Sequence, residues 1–342
     1  MKIVGCDLHT RYQQVAMLDA ETGELVEHRL EHESGEARAF YAGLAAPVRV
    51  GIEATGHTRW FERMLGELGH ELWIGDAAQI RASMVRKQKT DARDGAHLLD
   101  LLLSDRFPRI WRPSLEERDL RQLVWHRQKL VWMRNAVGNQ LHALAMGEGV
   151  CRKKKLFTKK GRVELEGLKL GRWASHRRQE LLTMLDQLDA SMKELDQAVA
   201  EQNQSAVLLM THPGVGPVTS LAFVLTLGPV ERFERSKQVV SYLGLNPREH
   251  SSGGRQRLGA ISKQGNPMMR SLLVEAGHTA ARLDSELRQD YQRLKLRRGS
   301  GVAKVAIARK LAVRMYWMLR SPASYAQLVR MQGSPRATLV KQ

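Results

Sequence analysis

Short apolar runs alternate with helical patterns over the first 105 residues of this 342-residue chain. Three strand-like runs come first, and the turn-forming residues around Gly23 predict a hairpin between the second and the third. Apolar spacing then predicts a helix, a strand, a helix, a strand and further helices, one of which begins at Asp91. The expected strands are residues 3–6, 14–18, 25–30, 48–52 and 71–74. This order of elements predicts a mixed α/β sheet.

The charge of the chain changes sign at about residue 105. Residues 1–105 hold 12 basic and 17 acidic residues, whereas residues 106–342 hold 42 basic and 19 acidic ones. The first part is therefore net −5 and the second net +23, within a total of +18. Such an excess predicts nucleic acid as the partner, because Lys and Arg release counterions from phosphates. A solvated surface that prevents aggregation is the alternative interpretation.

The composition argues against several classes of protein. The longest apolar stretches fall far short of the roughly 20 residues that cross a membrane, and the carboxylate of Asp7 comes too early for a signal peptide. Two cysteines, Cys6 and Cys151, support neither a disulfide framework nor a four-ligand zinc site. We therefore expect a soluble protein of a reducing compartment that does not contact membranes.

Four carboxylates stand at the ends of the predicted elements. Asp7 ends the first strand and Glu53 ends the fourth. Asp91 and Asp94 lie three residues apart at the start of the helix predicted from Asp91, so both can face the same way. Oxygen ligands of this kind suit Mg²⁺ or Mn²⁺, and two such ions would stabilise both the attacking and the leaving oxygen of a phosphodiester. The alternative is that each acid merely caps or solvates the end of an element.

Three short sequences around these acids resemble the acidic motifs of a transposase family. They are VGCD (4–7), IEATG (52–56) and KTDARD (89–94). The family is the bacterial insertion-sequence family of bridge-RNA-guided recombinases, to which the pilin-gene invertases are related. The resemblance implies a ribonuclease-H-like domain over residues 1–110, akin to the RuvC-type Holliday-junction resolvases. It also implies a metal-binding catalytic tetrad, which in this sequence is Asp7, Glu53, Asp91 and Asp94. The first motif departs from the family pattern at Cys6, His9 and Thr10.

The C-terminal third carries a second set of motifs. The sequences YLGLNP (242–247), HSSGG (250–254) and GAISKQGN (259–266) resemble the family's C-terminal signature, in which the serine just before the glycine is the nucleophile. That serine is Ser252 here, with Ser251 beside it and Tyr242 as a rival nucleophile, and a flexible turn is the alternative interpretation. The resemblance implies a mainly α-helical serine transposase domain over residues 206–325. Nearby cations that can hold phosphate oxygens are Arg255, Arg257, Lys263 and Arg270.

A glycine-rich turn, HPGVGP (212–217), precedes an apolar helical pattern. Backbone amides at such a turn can bind a phosphate, which makes Gly214 and Gly216 candidate nucleic-acid contacts. A plain turn is the alternative.

The middle of the chain, residues 111–205, is predicted to be helical. Apolar residues spaced by four and three repeat from Leu181 to Val199 and predict a coiled coil; one helix packed on its own domain is the alternative. In the resembling family this region assembles subunits, which implies a dimer or tetramer. The basic segment 152–162 is expected to be mobile until it meets phosphates, because like charges repel. Its candidate nucleic-acid contacts are Arg152, Lys153, Lys154, Lys155, Lys159 and Lys160.

The family resemblance, taken with these features, implies an RNA-guided DNA transposase or recombinase of an insertion sequence. The resemblance implies that Ser252 attacks a DNA phosphodiester and forms a covalent phosphoserine link, assisted by the metals of the carboxylates in one composite site. It implies donor DNA, target DNA and a structured non-coding guide RNA as partners, at the nucleoid in the bacterial cytoplasm. Residues 326–342 are expected to form a disordered tail. A site-specific invertase of the pilin type, a metal-dependent nuclease or junction resolvase, and a non-catalytic nucleic-acid-binding protein remain as alternatives.

Overall fold

The computed structural model describes residues 1–84, 91–152, 155–200, 203–250, 255 and 257–332. The chain divides into two compact units, Met1–Arg112 and Pro113–Gln342. The first is a mixed sheet covered by helices and the second is mainly helical, which confirms the predicted architecture at that level.

The described part of the N-terminal unit has five strands and four helices. They are β1 (Lys2–Leu8), β2 (Tyr12–Asp19), β3 (Leu25–Glu31), α1 (Glu36–Ala42), β4 (Arg49–Glu53), α2 (Arg59–Glu67), β5 (Glu71–Gly75), α3 (Ala77–Ser83) and α4 (Asp91–Leu103). The strand order is β3-β2-β1-β4-β5. Strands β1, β2 and β3 pair antiparallel, whereas β4 pairs parallel with β1 and with β5. Helix α2 joins β4 to β5, as a parallel pair requires a crossover connection.

The sheet of the N-terminal unit is packed on both faces. Successive residues of a strand point to opposite faces, so Val4 and Cys6 pack with Tyr41 of α1, while Gly5 faces α4. A Cβ atom at Gly5 would lie 2.3 Å from the carbonyl oxygen of Gly95. Glycine is therefore required where α4 crosses β1, and this crossing fixes the start of α4 on the sheet.

Helices dominate the C-terminal unit. Its elements are α5 (Leu115–Gly147), α6 (Lys159–Glu166), α7 (Arg172–Ala200), α8 (Gln204–Met210), α9 (Pro217–Leu227), α10 (Ser236–Tyr242), β6 (Pro247–Glu249), β7 (Leu258–Ile261), α11 (Pro267–Leu283), α12 (Ser285–Arg320) and α13 (Tyr325–Gln332). Element α12 is two helices joined at Gly299, whose φ of 82° and ψ of 165° are not helical. Over the described residues, no helix has both the length and the apolar character needed to cross a membrane.

The long helices α5 and α7 pack antiparallel against each other within the chain. Nε of Arg127 lies 2.8 Å from Oδ1 of Asp196, and Arg134 pairs with Asp189 further along. Leu185 of the predicted heptad seam is buried in the core that α7 shares with α5. This part of the seam is therefore covered by an intrachain partner, as in the alternative interpretation, rather than by a second subunit.

The basic segment between α5 and α7 is folded over its described residues. Leu156 is fully buried, and the ring of Phe157 packs edge-on against His142 with centroids 5.1 Å apart. The prediction of a mobile segment is therefore wrong for residues 155–162, because these two apolar side chains anchor it to the helix pair. Lys153 and Lys154 lie outside the described residues.

The predicted tail begins as a helix. Residues 326–332 form most of α13, in which Leu328 is buried against the core of the C-terminal unit. The prediction of a disordered tail is wrong for these residues. The buried side chain of Leu328 holds the short helix against the core of the unit. Residues 333–342 lie outside the described residues.

Candidate active site

Two of the predicted metal-binding acids reach the same edge of the N-terminal sheet. Strands β1 and β4 are parallel neighbours, and Cys6 lies opposite Ile52 in their register. One residue further along each strand come Asp7 and Glu53. Parallel strands in register carry residues one step further to adjacent positions, so these two acids are neighbours across the strand pair.

Asp7 and Glu53 also project from the same face of the sheet. Side chains alternate along a strand, and the residues two positions earlier, Gly5 and Gly51, both face α4. An added Cβ atom at Gly51 would lie 2.7 Å from Cδ1 of Leu102 in that helix. The two acids therefore lie on the side of the sheet that α4 covers.

Helix α4 brings a third acid to this face. Asp94 directly precedes Gly95, the residue that contacts Gly5 of β1, and only 8% of its surface is exposed. Asp91 begins the helix three residues earlier. The side chain of Asp91 is outside the described part of the structure.

A histidine and an arginine side chain lie beside these acids. Nε2 of His9 is 3.1 Å from Oδ2 of Asp7, and Nη2 of Arg81 is 3.9 Å from Oε1 of Glu53. Both acids are partly exposed, so a ligand from solvent can reach them. His9 could have been found as a neighbour of the first acidic motif. No sequence pattern marked Arg81, because only the folded sheet brings α3 beside β4.

The donors at this edge are those of a hard divalent cation. Asp7, Glu53 and Asp94 offer only carboxylate oxygens, which Mg²⁺ and Mn²⁺ prefer. Among the described side chains, however, no three His, Cys, Asp or Glu residues form a group that could hold a metal ion. The carboxylate chemistry of these acids fits the predicted ion.

The second candidate centre is the hairpin of β6 and β7. These strands pair antiparallel, and the backbone N–H of His250 donates to the carbonyl oxygen of Arg257 at 2.9 Å. The predicted nucleophile Ser252 falls between these residues in the chain, and it lies outside the described residues together with Ser251, Gly253 and Gly254. Arg255, Arg257 and Lys263 are exposed, as a phosphate-binding role requires.

Two glycines fix the base of this hairpin. Gly244 and Gly265 have φ values of 66° and 71°. A Cβ atom at Gly244 would lie 1.9 Å from the carbonyl oxygen of Gln264, and one at Gly265 would lie 2.2 Å from that of Tyr242. Arg270 donates to the carbonyl oxygen of Gln264, so its described contacts brace this crossing. The two motifs that flank Ser252 in sequence thus meet in space.

The HPGVGP turn is packed into the C-terminal unit. A Cβ atom at Gly214 would lie 2.5 Å from the backbone nitrogen of Ala280 in α11, so this glycine permits helix packing. His212 is buried, and burial lowers its pKa to about 4, which leaves the ring uncharged at neutral pH. Gly216, in contrast, is exposed at the N-terminus of α9, the placement that a phosphate contact requires.

The described lysines of the basic segment face solvent. Lys155, Lys159 and Lys160 are exposed, whereas Arg152 pairs with Glu164 at 2.8 Å. The lysines are therefore better placed than Arg152 to contact phosphates.

Both candidate centres fall within regions of the chain that match known protein families. Residues 4–147 match the DEDD-type transposase model of IS110 elements, described as a transposase. Residues 206–292 match the model described as the transposase IS116/IS110/IS902 family. The chain belongs to the IS110/IS116 family of transposases. A DEDD-type transposase domain suggests a ribonuclease-H-like fold and typically uses a divalent metal, and membership of the IS110/IS116 family implies an enzyme that cleaves and recombines DNA.

Relatives of this IS110-family chain are similar along most of its length. It is 29% identical to a Pseudomonas aeruginosa protein named "Probable family 20 transposase", over 93% of this chain and 96% of the relative. It is 28% identical to the "Transposase for insertion sequence element IS1111A" of Coxiella burnetii, over 95% of this chain and 91% of the relative. A "Pilin gene-inverting protein" of Moraxella bovis is 27% identical over 65% of this chain and 64% of the relative.

Proposed function

We propose that this IS110-family protein is an RNA-guided transposase that cuts and exchanges DNA strands for an insertion sequence at the bacterial nucleoid. One observation carries the proposal. Asp7 and Glu53 occupy matched ends of neighbouring parallel strands, on the face to which α4 brings Asp94. Acids gathered in this way at a sheet edge suit metal-assisted cleavage of a phosphodiester.

The four acids have a common role in this proposal. Asp7, Glu53, Asp91 and Asp94 would hold Mg²⁺ or Mn²⁺, which when bound activates an attacking hydroxyl and stabilises the leaving oxygen. His9 lies against Asp7 and holds the carboxylate in one orientation. We therefore assign His9 the role of a positioning residue.

Ser252, in the proposed serine transposase domain at residues 206–325, would supply the nucleophile. Its Oγ bonds to the phosphorus of a DNA phosphodiester while the bond from that phosphorus to one sugar oxygen breaks. The serine proton passes to a base, and the departing sugar oxygen becomes a hydroxyl. A sugar hydroxyl of another strand then attacks the phosphoserine, which re-forms a phosphodiester and releases Ser252. One bond forms for each bond broken, so the exchange needs no ATP. Arg255 and Arg257 would hold the phosphate oxygens through charged hydrogen bonds.

Ser252→Ala should abolish the covalent protein–DNA adduct, because alanine has no hydroxyl to bond to phosphorus. The adduct is measured on denaturing gels after the full-length protein is incubated with end-labelled donor DNA and Mg²⁺. Ser251→Ala is the matched control and should retain the adduct. Cleavage by Ser252→Ala at the wild-type rate would instead favour a metal-dependent nuclease. Loss of the adduct in Ser251→Ala alone would identify Ser251 as the nucleophile instead. DNA binding by the wild-type protein without any cleavage would favour a non-catalytic protein.

A structured non-coding RNA from the element is the proposed guide, and the basic segment is its proposed contact. Replacing Lys153, Lys154, Lys155, Lys159 and Lys160 with Ala should weaken RNA binding and flatten its salt dependence. Each lost phosphate contact removes about 0.7–0.9 from the slope of log affinity against log salt. Affinity is measured by filter binding over a range of salt, with the RNA that copurifies as the probe.

The matched control replaces the same five lysines with Arg, which keeps the charge and should keep the slope. Both variants should stay folded, because Leu156, the buried anchor of the segment, is unchanged. An unchanged slope in the Ala variant would show that the segment is only a solvated surface.

Exchange between two DNAs requires several subunits, and we place the assembly surface of the proposed dimer or tetramer on α5. Part of the predicted seam on α7 is already covered within the chain. On α5, in contrast, Trp125, Trp132 and Met146 are exposed and fall on one stripe, because they are separated by multiples of seven residues. Light scattering of the purified protein measures the subunit count. A monomer at all concentrations would contradict the assembly.

A site-specific invertase is the second candidate function. The similarity to the Moraxella bovis protein favours it, since the two activities share the same proposed chemistry. The DNA that flanks the gene discriminates between them. An invertible gene segment beside it supports the invertase, and an element with its own ends and a non-coding RNA segment supports the transposase.

A further inference from the structure

The two helices of α12 form a hairpin that turns at Gly299. Its left-handed backbone conformation ends the first helix, and contacts between the two helices show that the chain then runs back. Nη2 of Arg314 lies 2.6 Å from Oε2 of Glu286, and Lys310 pairs with Asp290. Each pair is centred on residue 300, as an antiparallel hairpin requires.

Among the residues that the structure describes, only the base of this hairpin is packed into the C-terminal unit. Leu287 and Ile307 are fully buried together with residues of α11. Beyond the ion pair of Asp290 and Lys310 the chain continues for nine residues to the turn, or about 13 Å of helix. All eight residues from 295 to 302 are exposed, so the tip projects into solvent.

The tip is strongly basic. Asp290 is the last acidic residue of the sequence, and residues 291–342 hold 12 Lys and Arg. Arg293, Lys295, Arg297 and Arg298 lie on the first helix close to the turn and are exposed. Asp290 pairs with Arg293, at 2.7 Å, as well as with Lys310, which leaves Lys295, Arg297 and Arg298 to contact a polyanion.

A large apolar side chain stands among these cations. Leu296 is 87% exposed, and Val302 is exposed on the other side of the turn. Hydration of such a side chain is unfavourable, and a protein that bends DNA commonly inserts an apolar residue between base pairs while Arg and Lys hold the phosphates. An exposed leucine with basic residues on either side of it in the chain matches that use.

We infer that the tip of the α12 hairpin binds duplex DNA, with Lys295, Arg297 and Arg298 on phosphates and Leu296 inserted between base pairs so that the duplex bends. The inference rests on DNA as the substrate, as proposed above. It adds an element that distorts the DNA apart from the residues that cut it. Base pairs that are partly unstacked are more easily opened for exchange.

The proposed insertion of Leu296 between base pairs is tested by measuring how strongly the full-length protein bends DNA. Energy transfer between dyes at the two ends of a short DNA duplex reports the bend, and binding is measured on the same samples. Leu296→Ala should bind the duplex within about threefold of wild type, because the cations remain, but should lose at least half of the change in energy transfer. Leu283→Ala, at another exposed leucine, is the matched control and should bend DNA normally.

A charge variant, which lacks the basic side chains, tests the proposed phosphate contacts. Replacing Lys295, Arg297 and Arg298 with Ala should lower the salt slope of duplex binding by about three, at roughly 0.9 per phosphate contact. Thermal melting should be unchanged in both tip variants, because the residues are exposed. Normal bending by Leu296→Ala, or an unchanged slope for the charge variant, would overturn the inference. So would a charge variant that loses affinity for an RNA hairpin but not for the duplex.

Failure of this inference and failure of the proposed function can be told apart. Asp94→Asn, which should be inactive in strand exchange, should bend the duplex like wild type. If wild type bends DNA but forms no adduct, the proposed chemistry fails while the tip assignment stands.

Discussion

Asp7→Asn and Asp94→Asn should each reduce strand exchange by at least about 100-fold, since even the partners of metal ligands typically contribute 10- to 100-fold. Asparagine keeps the shape of the side chain but removes the negative charge that holds a divalent cation. The fold should remain intact. Asp94 is buried, and a neutral amide is less costly to bury than a carboxylate. Recombination between donor and target DNA is measured with Mg²⁺, and Mn²⁺ binding by calorimetry gives a readout that does not depend on activity.

Asp100→Asn is the matched control on the same helix. Asp100 is largely exposed and pairs with Arg106 at 3.2 Å, and an exposed pair of this kind contributes little to stability. This variant should recombine DNA and bind Mn²⁺ like wild type. Near-normal recombination by Asp7→Asn in Mg²⁺ would show that the sheet edge is not a metal site.

The order of strands and helices in the N-terminal unit was predictable because its signals are local. Alternation, apolar runs and the turn at Gly23 each lie within a few residues, and the structure confirms that order. The parallel pairing of β4 with β5 then follows from the helix α2 that joins them, whereas the pairing of β1 with β4 does not, since β2, β3 and α1 lie between them in the chain. The close crossing of Gly5 and Gly95 was not predictable, because ninety residues separate them in the chain. That crossing is what positions Asp94.

The predictions were less accurate in the C-terminal unit, because the same apolar pattern can pack against different surfaces. A heptad repeat on α7 requires an apolar surface opposite it, but does not say whether α5 or another subunit provides it. Leu156 and Phe157 were obscured by the lysines around them, since charge density says nothing about two apolar side chains that find a pocket. The candidate residues Gly214 and Arg270 show a similar limit, because both make contacts with residues distant in sequence.

Gly244→Ala should destabilise the C-terminal unit and suppress adduct formation. An alanine at a φ of 66° is strained and costs about 1–3 kcal/mol. Its Cβ atom would also lie 1.9 Å from a backbone oxygen of Gln264, which cannot move away without opening the base of the β6–β7 hairpin. For a unit of this size, a loss of 2 kcal/mol lowers the melting temperature by about 4 °C or more. Thermal melting and the denaturing-gel adduct assay measure the two effects. Gly265→Ala, on the other side of the crossing, should behave in the same way.

Gly259→Ala is the control that separates this crossing from a general sensitivity of the hairpin to side chains. Gly259 lies in β7 of the same hairpin, and the nearest atom to its added Cβ would be a carbonyl oxygen at 3.8 Å, an ordinary contact distance. This variant should melt like wild type and form the adduct. A stable Gly244→Ala that still forms the adduct would show that the crossing does not hold the hairpin that carries Ser252. A stable Gly244→Ala without the adduct would indicate that the crossing positions the hairpin for chemistry rather than supporting the fold.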